Sequence, residues 1–318
     1  MEKAIYISDD FINENTHFPA LLAALKEGFS SPDILVPQRH HHDFPNPETG
    51  SDSTLLLMPA WHPAKIAGVK IATVSPENGR YDLPSIQAIY VLINAITGTM
   101  IATMQAKSLT AKRTAAASAL ASSFLSRKDA SSLLMIGTGA LSANLIRAHA
   151  SVRPIKEVFV WGRNAEKAKA ICSELKEENF SCTAIMQIDD KIGDMDIISC
   201  ATLSKTPLVL GKYLKPGQHI DLVGAYKKDM READDAVIQK ASVYVDTPAG
   251  LHESGDTSIP LHSGILTEDT IKGNLFTLCS GEVSGRKSEK EVTVFKSVGH
   301  ALEDLMAANY YYNQFTNE

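Results

Sequence analysis

The sequence predicts an α/β protein in which a mostly β first region is followed by a doubly wound parallel sheet. Three observations carry that reading. Apolar or alternating runs crowd the first third of the chain, and from Ser131 strand-like and helix-like segments alternate. The first strand of that alternation, Leu133–Ile136, breaks into Gly137-Thr138-Gly139, and a helical pattern starts at once. Strand, glycine turn and helix in that order place helix N-terminal amides where a pyrophosphate can sit.

The 318 residues suffice for two domains of ordinary size, and 44% hydrophobic with 21% charged residues describes a soluble globular protein. The formal charge of −6 provides no basic field for nucleic acid, and no Lys/Arg run suggests a membrane surface. The first residues lack a basic segment followed by an apolar one, and no apolar run approaches the roughly 20 residues that span a bilayer. Cys172, Cys182, Cys200 and Cys279 show no CxxC spacing. Reduced structural thiols, a cytoplasmic location and no metal site are expected.

Along the chain, Ala4–Ile7 reads as a strand and Phe18–Gly28 as an amphipathic helix ended by its glycine. VPQRHHHDFPNPETG reads as a solvated connection. Ser53–Pro59, Ile66–Val74, Ile86–Asn94 and Met100–Gln105 read as strands, with a turn at PENGRYDLP where Asn78-Gly79 offers a positive-φ site. Ser108–Ser126 is rich in alanine and small residues, a close-packing helix starting near Thr110. It carries Arg113 in its first turns, where the macrodipole disfavours a cation but would favour a bound anion.

Six strand candidates follow: Leu133–Ile136, Glu157–Trp161, Cys182–Gln187, Asp196–Ser199, His219–Val223 and Val243–Val245. Helical patterns lie between most of them, notably Ala165–Glu178 and Asp234–Lys240, and this alternation is the doubly wound signature. Pro248–Pro260 reads as loop and Thr267–Lys272 as a helical turn. Val292–Phe295 reads as a strand and Ser297–Asn313 as the last helix.

The glycine loop stands after the first strand of the alternation, where a dinucleotide's phosphates belong. Gly137 allows the tight turn and Gly139 leaves room for phosphate, while Ser142 and small Ala143 replace the usual third glycine. Cofactors of the NAD type meet an acidic residue at the end of the second strand. Here VFVWGRNAEKA puts Gly162, Arg163 and Asn164 there, and a guanidinium pairs with a 2′-phosphate. NADPH is therefore the expected cofactor, with NADH the alternative.

Six segments, VPQRHHH, GVKIATVSPENG, SLTAKRTAAASA, MIGTGALSA, LVGAYKKDMREADD and VFKSVGHALEDL, together resemble the ornithine cyclodeaminase/μ-crystallin family, in order and over nearly the whole chain. The resemblance implies a Rossmann domain (113–293) inserted into a substrate-binding and dimerisation domain (1–112 with 294–318), and a homodimer. It implies that Arg39, Lys70 and Arg113 hold the carboxylate of a small substrate, Lys70 and Arg113 as the catalytic pair. Cofactor contacts carry over to Ser85, Arg113, Ala140, Leu141, Thr202, Val223, Gly224 and Ser297, beside Gly137, Gly139 and Gly162–Asn164. Val298 falls near the substrate.

Tyr226 stands where the cyclodeaminases have a catalytic aspartate, and Asp229 lies three residues on, as a turn or cap residue. Without that carboxylate, deamination and cyclisation lose their acid/base group. The segment resembles the family's ketimine reductases, which implies NAD(P)H-dependent reduction of Δ1-pyrroline-2-carboxylate, and of Δ1-piperideine-2-carboxylate, to L-proline and L-pipecolate. Tyr226 then lines the substrate pocket. An alanine dehydrogenase-like reductive aminase, an ornithine cyclodeaminase and a μ-crystallin-like NADPH-dependent binding protein are the alternatives.

Overall fold

The computed structural model describes residues 4–317. The chain divides into two compact units, Met1–Arg113 with His300–Glu318, and Thr114–Gly299. The second junction, expected at 293/294, falls at 299/300, because the strand Thr293–Lys296 pairs inside the second unit's parallel sheet.

The first unit opens with β1 (Ile5–Ile7), α1 (Asp9–Glu14) and α2 (Phe18–Ser30). The strands β2 (His40–Phe44), β3 (Ser53–His62), β4 (Ile66–Val74), β5 (Ile86–Asn94) and β6 (Met100–Gln105) follow. They form one sheet in the order β1-β6-β5-β4-β3-β2, antiparallel except where β1 joins β6. Side chains alternate between its faces. Met58, Ala60, Lys70, Ala72, Tyr90, Leu92, Ala102 and Met104 are buried on one, which the C-terminal helix (Ala301–Thr316) covers, itself packed on α2. The other carries Leu55, Leu57, Val69, Ile71 and Val91 half-buried, with Tyr6 and Ile89 exposed.

Several local expectations are corrected. His40–His42 lie in a strand, not a loop. The helix at Phe18 runs on past Gly28, whose lack of a side chain serves packing: a Cβ there would lie 2.5 Å from Met306 Cγ. In the PENGRYDLP turn the positive φ falls on Asp82, at 55°, rather than on Asn78-Gly79. The long helix α3 (Ala106–Leu125) begins before Thr110, so Arg113 sits in its third turn, beyond the reach of the N-terminal dipole. Its alanines 111, 115, 116, 117, 119 and 121 are buried, as the small-residue pattern requires.

The second unit holds a fully parallel sheet of β7 (Ser132–Ile136), β8 (Glu157–Trp161), β9 (Ser181–Ile185), β10 (Ile197–Cys200), β11 (His219–Leu222), β12 (Ser242–Val245), β13 (Gly273–Asn274) and β14 (Thr293–Lys296). The order is β13-β12-β14-β11-β10-β7-β8-β9. Between the strands lie α4 (Ser142–Val152), α5 (Ala165–Glu174), α6 (Asp189–Ile192), α7 (Asp235–Lys240), α8 (Gly250–Glu253), α9 (Gly255–His262) and α10 (Leu275–Ser280). Every residue of β7, β10, β11 and β14 is buried, the mark of strands covered on both faces. The strand order reverses direction between β7 and β10, so the ligand crevice of this fold class opens at their carboxyl ends.

Pro248–Pro260, read as loop, is largely helical, and Pro260 itself lies inside α9. The last helix starts at Ala301 instead of Ser297. All four cysteines are free, with the Cys182 thiol donating to Cys172 Sγ at 2.9 Å. Among the described residues no helix is long and apolar enough to cross a membrane.

Candidate active site

In the first unit, strand register gathers the basic residues. Lys70 on β4 pairs with Met58 on β3 and with Tyr90 on β5, and Tyr90 pairs with Met104 on β6. All four are buried on the covered face. His40 of β2 stands opposite Leu57, so the register continued by one residue puts half-buried Arg39 opposite Met58 in the same row. One strand, β3, lies between it and Lys70, so the two positions are two strand spacings apart, about 10 Å.

Arg113 reaches this row from α3. Its Nε donates to Asp304 Oδ1 at 2.9 Å and its Nη1 to Glu303 Oε2 at 2.6 Å. Lys70 Nζ donates to Asp304 Oδ1 at 3.0 Å and lies 2.8 Å from Oδ2. The carboxylates come from the first turn of the C-terminal helix, where the dipole favours them. Two cations and two anions, none more than 5% exposed, thus form a balanced buried cluster. The carboxylates orient the cations without exhausting them: two of the guanidinium's five donors are committed to the two acids.

Burial pulls Lys70 down to about 8 against the opposing charge of Asp304. Burial also acts to lower Arg113, but Asp304 and Glu303 outweigh it and hold the guanidinium charged. Asp304 lies below the usual carboxylate range, the two cations overcoming its own desolvation. Tyr90 Oη, fully buried, has no hydrogen-bond partner among the described residues. Gly68 makes room for it, since a Cβ there would lie 2.3 Å from that oxygen. Burial, then Asp304, push the phenol well above its ordinary range.

In the second unit, the glycine loop has the geometry a pyrophosphate needs. Gly137 takes a φ of 126°, and a Cβ on it would meet the Ala201 carbonyl oxygen at 2.5 Å. A Cβ on exposed Gly139 would meet nothing within 4 Å, so the backbone there is open to a ligand. The absent third glycine is explained by Ser142, whose buried hydroxyl donates to the Gly137 carbonyl at 3.0 Å and closes the turn from inside. Ala140 and Leu141 lead into α4, whose N-terminus has no side-chain cap from Leu141 and whose dipole suits an anion.

The neighbouring strand ends crowd onto this loop. A Cβ at Gly224 would lie 2.1 Å from the backbone N and O of Thr202, and one at Gly162 would lie 2.5 Å from Thr138 Cγ2. Val223 N–H donates to the Cys200 carbonyl at 2.8 Å. Ser297 and Val298 lie in a turn after β14 that Asp246 fixes, accepting the amides of Val298 and Gly299 at 2.7 and 2.8 Å. Arg163 is exposed, and Asn164 caps α5 by accepting the amides of Glu166 and Lys167. These residues suit a dinucleotide: a φ only glycine readily adopts, an open backbone approach and a helix start, all at the carboxyl ends of β7, β8, β10 and β11.

Tyr226 is exposed in the loop after β11, with Lys227 Nζ 5.7 Å from its ring centroid, and Asp229 forms a surface pair with Lys205 at 2.8 Å. Ser85 is exposed in the first unit, its carbonyl accepting the Ser75 amide. Glu303, Asp304 and Tyr90 join the site without being among the residues expected from sequence. The signal for the acids was present in VFKSVGHALEDL, where two carboxylates interrupt the start of an otherwise apolar helix.

A sequence profile of the ornithine cyclodeaminase/mu-crystallin family matches residues 6–318. A Δ1-pyrroline-2-carboxylate reductase of Colwellia psychrerythraea is 37% identical, over 95% of this chain and 96% of that one. The solved structure of Thermococcus litoralis Δ1-pyrroline-2-carboxylate reductase with NADH and L-proline superposes with a TM-score of 0.91 at 29% identity, over 98% of each chain. The iminosuccinate reductase of Paracoccus denitrificans in complex with NAD+ superposes with a TM-score of 0.89 at 25% identity, over 99% of this chain and 97% of that one.

Proposed function

Because the chain belongs to the ornithine cyclodeaminase/mu-crystallin family, we propose that it reduces a cyclic ketimine bearing a carboxylate on the imine carbon. Δ1-Pyrroline-2-carboxylate is the first substrate and Δ1-piperideine-2-carboxylate the second, giving L-proline and L-pipecolate. The observation that carries this reading is the buried Lys70–Arg113 pair oriented by Asp304 and Glu303. Such a cluster is built for a small carboxylate and offers little to an uncharged ligand.

Arg113 engages the substrate carboxylate with its remaining donors, Lys70 adds a point charge, and Arg39 closes the row from the sheet edge. Held by that group, the ring presents a fixed face of C2 for reaction, which is the main contribution of positioning. A reduced nicotinamide, its pyrophosphate held at residues 137–141, would supply the hydride for C2, the C=N electron pair passing to the ring nitrogen. The ring nitrogen arrives as an iminium, so the chain needs no strong base. Tyr226, in place of an aspartate, offers no carboxylate to activate water and so disfavours deamination. Exposed Arg163, with no acid in Gly162-Arg163-Asn164, is the partner of a 2′-phosphate and favours NADPH over NADH. The open apolar face of the first unit's sheet is where we place a second copy of the chain.

Absorbance at 340 nm tests the reading directly. NADPH oxidation is expected with pyrroline-2-carboxylate, with a higher kcat/KM than for NADH, and little with pyruvate plus ammonia. No oxidation with either imine would overturn the reductase reading, and fast oxidation with pyruvate plus ammonia would make the protein a reductive aminase. Proline and ammonia formed from ornithine would show that Tyr226 does not prevent deamination. The same sample is expected to have the mass of two chains in light scattering; a monomer at working concentration would remove the second copy from the open face.

A further inference from the structure

The second unit buries three charged groups that the reduction does not use: Glu232, Asp256 and Lys296, each 0% exposed. Lys296 Nζ lies 3.1 Å from Asp256 Oδ2 and 3.9 Å from Glu232 Oε2. The Glu232 carboxylate is surrounded by donors. Its Oε1 accepts the Thr202 amide at 2.7 Å and the Thr202 hydroxyl at 3.0 Å. Its Oε2 accepts the Gly224 amide at 2.8 Å and the Ala225 amide at 3.1 Å. Asp256 in turn accepts the amides of Glu232 and Ala233 at 2.7 and 3.1 Å, which fixes the stretch carrying Glu232.

Those donors come from two loops, one leaving β10 and one leaving β11, both at the carboxyl end of the sheet. The loops touch at Gly224, where a Cβ would strike the Thr202 backbone, so neither moves without the other. Four donors and no required acceptor describe a site for an ionised carboxylate. A fully buried carboxylate needs a counter-charge, and Lys296 provides it from β14. Nothing in this arrangement is required to hold the sheet, whose strands pair through their own backbones.

We propose that Glu232 is a positioning residue for the reduction. Its carboxylate binds the Thr202 loop and the Gly224–Ala225 loop into one rigid floor of the cofactor crevice, while Lys296 and Asp256 hold the carboxylate in register. The inference rests on the reading of that crevice as the cofactor site. Burial lifts the Glu232 carboxyl to about 7, with Lys296 opposing and Asp256 reinforcing the rise. The groups facing it are Lys296 from β14, Asp256 from α9 and the Cys200 thiol from β10. Protonation would turn an O–H toward backbone N–H donors, so cofactor affinity is expected to weaken as pH falls through about 7.

The test is a fluorescence titration of the purified full chain with NADH, whose phosphates do not titrate in this range, beside steady-state kinetics with the imine. Glu232→Gln keeps one acceptor oxygen but aims an NH2 group at two backbone donors. It also removes one charge from a cluster of two carboxylates and one ammonium, so the variant is expected to fold. Cofactor Kd should rise about tenfold or more, the scale of losing hydrogen bonds to a charged group, while the imine KM stays within about twofold. The weakening of wild-type affinity between about pH 8 and pH 6 should vanish in the variant. Should Glu232→Gln fail to fold, Glu232→Asp keeps the charge, withdraws it by one methylene, and should raise the cofactor Kd in the same direction. A cofactor Kd within about twofold of wild type in the folded variant, or an equal rise in both constants, would overturn the proposal. A wild type that binds NADH but never reduces the imine would overturn the reductase reading instead and leave this titration interpretable.

Discussion

Arg113→Ala is expected to lower kcat/KM for the cyclic imine by about 1,000-fold or more, because a buried, multiply bonded charge is lost from the proposed carboxylate anchor. The loss has two sources. The substrate carboxylate forfeits its planar, two-pronged partner, and Asp304 and Glu303 are left with Lys70 as the remaining cation of the cluster. Breaking one side of a buried ion pair costs about 3–5 kcal/mol, so the melting temperature should fall as well. Arg113→Lys separates the two sources. It retains the charge, and with it most of the stability, but not the bidentate geometry, so kcat/KM should still drop about 10–100-fold. A change in kcat/KM of less than about threefold in Arg113→Ala would remove this residue from the site.

Lys70→Met should produce the second-largest effect, a fall of about 100-fold in kcat/KM near neutral pH, together with a change in the shape of the pH profile. Burial lowers the ammonium to about 8, so it is mostly charged at pH 7 and loses its proton as pH rises through about 8. Only the charged form attracts a carboxylate. Wild-type kcat/KM should therefore decline on the alkaline side of about 8, and Lys70→Met should lose that limb. Methionine suits a row that already holds Met58 and Met104, and Asp304 keeps Arg113 as its counter-ion, so the stability penalty should be smaller than for Arg113→Ala. An alkaline limb that persists unchanged in the variant would assign the ionisation to another group.

Which parts of this molecule were legible beforehand follows from how far each signal extends along the chain. The parallel sheet was readable because β7 is a bare apolar run, SLLMI, broken by a glycine turn, and because strands covered on both faces need such runs. Helix α3 was readable because its run of alanine and small residues favours a helix that packs closely. Strand β2 was not: its five residues, HHHDF, are all exposed, and it is held at the sheet edge by backbone pairing that leaves no side-chain pattern. Gly28 looked like a helix terminator because its packing partner, Met306, lies far along the chain.

The site shows the same division. Lys70 and Arg113 came into view through resemblance, and their grouping depends on strand register and on α3 starting earlier than its pattern suggested. Glu303 and Asp304 resemble ordinary acids at a helix start, and only the structure shows them fully buried against two cations. Glu232, Asp256 and Lys296 come from three separate elements, and no local pattern joins them. Charge pairs across long separations leave no periodicity for a reader of the sequence to detect.

The row Arg39–Met58–Lys70–Tyr90–Met104 also constrains how this chain can change its length. Removing one residue inside β4 would swing Lys70 to the open face and bring Val69 or Ile71 inward, along with the rest of the strand. The loops between strands, such as Pro76–Tyr81, carry no such parity. Drift in this lineage should therefore appear as substitutions within the strands, with single residues gained or lost only between them.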